Sequence, residues 1–100
     1  MAESKIKKIG DVSYGGSIGN QTIFNYVKNV MPTGVHTFRF QESSDHPAGV
    51  AAVGCGIAFK PLDSGAYSLV FAFTVGNCYV SDQIAPNDTS LHWNRLARVN

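Results

Sequence analysis

The chain has 100 residues and a formal net charge of +1, enough for one domain with a single modest core. Only 15% of its residues are charged against 44% hydrophobic, where roughly 25% charged is usual, so weakly polar surface stays exposed and self-association is favoured over a lone monomer. The one basic cluster, Lys5, Lys7 and Lys8 beside Glu3, reads as a solvated tail, and a near-neutral chain without a clustered basic face argues against nucleic acid as an obligate partner.

In chain order, Met1 to Gly10 has no apolar run, so no signal peptide is expected, and Ser13-Tyr14-Gly15-Gly16-Ser17 reads as a flexible, turn-rich stretch. Residues 1–19 are taken as a lead-in or attachment segment and 20–100 as a β-rich head domain. Asn20 is a plausible cap for a helix over Gln21 to Met31, in which Ile23, Tyr26, Val27 and Val30 share one face. Pro32 ends that helix by disfavouring helical geometry at Met31.

Val35 to Gln41 alternates as a strand, with His36, Phe38 and Phe40 on one side, and Glu42 to Gly49 is a polar loop. Val50 to Lys60 is a strand of two unequal faces. Val53, Cys55, Ile57 and Phe59 lie on one side and Ala52, Gly54, Gly56 and Ala58 on the other, where a helix or a neighbouring copy of the chain can approach closely. Its apolar run, Val50 to Phe59, is too short and glycine-rich to span a bilayer, so no membrane insertion is expected.

After a turn at Pro61 to Gly65, Tyr67 to Ala85 carries the strongest signal, a hairpin about Gly76-Asn77. Such a turn sets Val75 opposite Cys78, Phe73 opposite Val80, Phe71 opposite Asp82 and Leu69 opposite Ile84, making the side with Phe71 and Phe73 the buried one. Asp82 then sits on an apolar face and needs a partner, with Arg39, Arg95 or Arg98 as candidates; the other reading is a functional carboxylate in a cleft. Cys55 and Cys78 are expected as buried free thiols of a reducing compartment. Ala85 to Ser90 is a loop, and Leu91 to Val99 closes the chain with Trp93 and Leu96. The fold class is therefore mainly β: an antiparallel sheet or small sandwich of about five strands with one short N-terminal helix.

His36, His46 and His92 share no metal-ligand spacing. Asp88, Ser90 and His92 alternate as a hydrolase triad would, but no positioning motif accompanies them, and the loop reading is preferred. Gly15-Gly16-x-x-Gly19 lacks the lysine and preceding apolar strand of a phosphate loop. No cofactor is implied.

Several features lie together from Met31 to Asn100: P-T-G at 32–34, the aromatic strand H-T-F-R-F, a loop with D-H-P, a strand pair ending in G-N-C-Y-V, and L-H-W-N-R-L-A at 91–97. This set resembles the C-terminal head or knob domains of bacteriophage tail fibres and fibre-like pyocins. Those domains end in a hairpin, a variable loop and a W-x-x-L closing element, matched here by Trp93 and Leu96, with Arg95 at a basic position inside it. The second aromatic found before the tryptophan in many relatives is replaced by His92, which leaves the receptor class open.

The resemblance implies a non-enzymatic receptor-binding or structural head at the tip of a homotrimeric fibre, attached to an upstream shaft. Its expected target is a host surface saccharide or protein, and its place is the virion tail, assembled in the bacterial cytoplasm. The alternatives are the terminal domain of a glycan-degrading tailspike, or a small β-rich assembly domain with no ligand of its own. Asp45, His46, Asn87, Asp88 and His92 are the candidate binding residues, because polar loops on a rigid β scaffold display groups that hydrogen-bond sugar hydroxyls. Trp93 is assigned a core role in preference to stacking on a sugar.

Overall fold

An edge strand forms where a lead-in was expected. The computed structural model describes residues 12–47 and 53–96, and within them Ser13–Ser17 is β1, paired in parallel with β2 (Gly34–Gln41). Ile18 follows directly into the core. The basic cluster at 5–8, residues 48–52 with the start of the third strand and Ala52, and Arg98 lie outside the described residues. The remaining strands are β3 (Val53–Lys60), β4 (Leu69–Thr74), β5 (Asn77–Ser81) and β6 (Trp93–Arg95), each antiparallel to the one before. All six form one mixed, mostly antiparallel sheet in sequential order.

The helix α1 is the crossover that a parallel β1–β2 pair requires. It is shorter than the apolar spacing predicts: an α turn at Ile23–Asn25 runs into a wider π segment at Tyr26–Val30, closed by Met31 N–H donating to Tyr26 O at 2.7 Å. Thr22, and not Asn20, is the capping residue, its hydroxyl accepting from Asn25 N at 3.0 Å. The hydroxyl sits one turn back from a free backbone donor, which is what the cap position needs.

Alpha-helix α1 covers one face of the sheet, and it selects the face with the smaller side chains. The core joins Ile23, Tyr26, Val27 and Met31 of the helix region to Phe38, Phe40, Ala58, Val70, Ala72 and Tyr79 of the sheet, with Ile84 beyond it. Phe38 lies opposite Gly56 and Phe40 opposite Gly54. A Cβ at Gly56 would come within 2.6 Å of the Phe38 ring, and one at Gly54 within 2.7 Å of the Phe40 ring. The glycines are thus the floor on which the two aromatic rings lie. Of the two candidate neighbours for this small-residue face, the helix side of the same chain occupies it.

This placement reverses the expected burial of β4. Val70 and Ala72 are fully buried, while Phe73 is 38% and Tyr67 50% exposed. Both faces of β3 and β4 are apolar, so alternation alone does not orient them; the bulk of α1 and of Phe38 and Phe40 does. The hairpin register differs too. Thr74 pairs with Asn77, Phe73 with Cys78 and Phe71 with Val80, so the turn residues are Val75 and Gly76. Gly76 takes the left-handed φ of 81° at the second turn position, where glycine carries no steric cost. Cys55 and Cys78 are free as expected, but exposed and half-buried respectively, since both lie on the uncovered face.

Candidate functional site

The two polar segments singled out from the sequence meet very different fates. In the loop after β2, Asp45 turns inward: Oδ1 accepts from Ile23 N at 2.7 Å and Oδ2 from Phe24 N at 2.9 Å. Ser43, fully buried, donates its hydroxyl to Gln21 O at 2.8 Å. The carboxylate meets the backbone N–H groups that open α1, where the helix dipole also favours negative charge. His46 Nδ1 lies 2.9 Å from Pro47 O. This loop therefore holds the helix in place, and Asp45 has both carboxylate oxygens engaged in doing so.

Trp93 locks the same loop to β6. Its indole N–H donates to Asp45 O at 2.8 Å and its ring packs against the core. The tryptophan is structural, as the closing-element reading has it. Leu96, the other residue of that element, is 45% exposed.

The second segment faces solvent. Asp88 folds its own loop, with Oδ2 accepting from Ala85 N at 2.8 Å and its N–H donating to Ala85 O at 3.0 Å. This closed turn presents Asn87 in the open. His92 lies beside Asp82, Nδ1 to Oδ2 4.0 Å, with side chains 58% and 63% exposed respectively. Asn94 donates to Asp82 Oδ1 at 2.8 Å, and Asp82 N donates to His92 O at 2.9 Å.

Asp82 is accordingly corrected from a carboxylate on a buried face, paired with an arginine, to a surface group held by Asn94 and His92. The change follows from which face is covered: the register differs by two residues, so Asp82 stays on the Phe71 side, and that side is the open one. An ion pair this exposed contributes little stability. The imagined triad is not assembled either, since Asp88 is committed to Ala85 and the acid beside His92 is Asp82. His92 and Asn94 as partners of Asp82 were missed in the sequence, where only the register of β5 and β6 would have revealed them.

The sheet's uncovered face is the other notable surface. Phe71 and Phe73 stack with rings 6.4 Å apart, and Phe59 meets Phe71 edge-on at 6.3 Å. Two shallow grooves end it, about 430 Å³ beside Val53, Cys55, Phe73 and Val75 and about 410 Å³ beside Val35, Phe59, Tyr67 and Leu69.

Among the described residues, no group of three His, Cys, Asp or Glu side chains is placed to hold a metal ion, and no helix is long and apolar enough to cross a membrane. Comparison with protein-family models, with curated proteins and with solved structures finds no match.

Proposed function

We propose that the chain is a non-enzymatic head domain of a trimeric bacteriophage tail fibre, joined to an upstream shaft and attaching the virion to a host surface saccharide or protein. The arrangement that supports this reading is the rim formed by His92, Asp82 and Asn94, together with the exposed Ala85–Asp88 turn in the loop that leads to it. It gathers a carboxylate, an imidazole and amides on the surface: Asn94 holds Asp82 by a hydrogen bond, the His92 ring lies 4.0 Å from that carboxylate, and Asn87 sits on a turn closed by Asp88. Preorganised donors and acceptors of this kind suit sugar hydroxyls, since little side-chain order has to be imposed on binding. Within this reading Asn87 and His92 contact the ligand, Asn94 holds Asp82 beside His92, and Asp88 shapes the turn. Asp45 acts on the fold alone.

The test is binding of the purified chain to an array of bacterial surface glycans, with competition for adsorption to host cells. Wild-type protein should bind or compete, and His92→Ala and Asn87→Ala should each weaken binding at least tenfold while keeping the wild-type circular dichroism spectrum. Folded variants that bind as wild type does would remove this rim from the reading.

A further inference from the structure

We infer that the open face of the sheet is the surface on which copies of this chain pack against one another. The His92 rim borders this face at its β6 edge, where Asn94 pairs with Val80 and donates to Asp82, and the test below needs no receptor.

The first support is area. An aromatic side chain has about 200 Å² to bury, so Phe59, Tyr67 and Phe73, at 42%, 50% and 38% exposure, together present on the order of 250 Å². Val53 at 49%, Val75 at 98%, Cys55 and the half-buried residues between them extend this continuous surface to the order of 600 Å². That is at the top of what a monomer leaves open, and close to the ~800 Å² each partner gives to a standard interface.

The second is charge. The positions of β3, β4 and β5 on this face are Val, Cys, Ile, Leu and Phe only. Among the described residues, charge lies at its two edges: Arg39 on β2, which donates to Gln41 on its own strand at 3.2 Å, and Asp82 beside Asn94 of β6. An anionic or cationic partner therefore meets no complementary charge over most of the face, whereas a flat, neutral, aromatic β surface does match it. Neighbouring copies supply that surface, and sheet faces turned toward one another about 10 Å apart interdigitate their side chains.

The third is backbone strain. Tyr67 holds a left-handed φ of 66°, unusual for an aromatic residue. Its N–H donates to Ile84 O at 2.6 Å and its carbonyl accepts from Gln83 Nε2 at 3.2 Å. The ring is thereby fixed at the groove beside Phe59 and Leu69, projecting from the fold instead of collapsing onto it.

Light scattering on the full chain across a concentration series, combined with the rate of Cys55 alkylation, tests this. Wild type should run at a multiple of 10.8 kDa, with Cys55 protected at high concentration and reactive on dilution. Phe73→Asp should give monomer mass, a wild-type circular dichroism spectrum and an alkylation rate at least tenfold faster. Val53→Lys, a smaller change at a half-exposed strand end, should do the same and replaces Phe73→Asp if that variant does not fold. Wild type that stays monomeric at every concentration overturns the inference, whether Cys55 reacts freely or is protected, the latter assigning the cover to another part of the same chain. An oligomer whose mass neither variant changes overturns it as well. Absence of glycan binding by a wild-type oligomer would count against the His92 rim only.

Discussion

Asp45 and Lys60 grip opposite ends of the same helix. Asp45 accepts from the first backbone N–H groups of α1, and Lys60 Nζ donates to Lys28 O at 2.9 Å and Met31 O at 2.6 Å where the helix ends. An anion meets the positive end of the dipole and a cation the negative end. An eight-residue helix is too short to be stable alone; here one side chain from the loop after β2 and one from the end of β3 tie it to the sheet.

Asp45→Ala should destabilise the fold by about 2–3 kcal/mol, because two charge-assisted hydrogen bonds to otherwise unpaired N–H groups are lost. Asp45→Asn, which retains an acceptor, should cost less. Urea denaturation of both variants checks this. Wild-type stability for Asp45→Ala would show that the helix start does not depend on this carboxylate.

At high pH two buried groups act in opposite directions. Burial lowers the Lys60 ammonium from its usual value of 10.5, partly countered by Asp63, and raises the Tyr26 phenol above 10.0. Between the lowered Lys60 value and 10.5 the unfolded chain holds more protons, so the Lys60 contribution to stability rises with pH. Above 10.0 the folded chain keeps the Tyr26 proton that the unfolded chain loses, so the Tyr26 contribution falls as pH rises. Denaturation between pH 8 and pH 11 should show the rising component vanish in Lys60→Met and the falling component vanish in Tyr26→Phe.

Gly56→Ala should destabilise by about 1–3 kcal/mol through overpacking, since the added methyl meets the Phe38 ring and Phe71 O. Pairing it with Phe38→Leu should recover part of the loss, because the smaller side chain vacates that space. Thermal melts of the two single variants and the double variant measure the coupling, and strictly additive losses would place the ring elsewhere.

Phe38→Ala and Phe73→Ala separate the two faces of the sheet. Phe38 is buried and should cost about 3–5 kcal/mol. Phe73 is partly exposed, so under dilute conditions its truncation should cost less than half as much. Equal losses in dilute solution would mean that both faces are covered within a single chain.

Alternation in V-H-T-F-R-F-Q and in L-V-F-A-F-T by itself determined that these stretches are strands. Pro32 and the apolar spacing before it likewise determined that a short helix precedes them, because those signals are local. The mainly β class follows from the same patterns. Which face of β4 is covered was left to tertiary structure: Leu69, Phe71 and Phe73 are more hydrophobic than Ser68, Val70 and Ala72, yet only the small side admits α1 above Phe38 and Phe40. The hairpin register was a choice between Val75-Gly76 and Gly76-Asn77 as turn residues, and because both put Tyr79 on the Ala72 side, face alternation did not decide it. Pairing of β5 with β6 then brought Asp82 beside His92. Asp45 was visible as a polar loop residue, but its role depends on a helix end twenty-two positions earlier in the chain, a contact between distant residues that only the folded chain brings about.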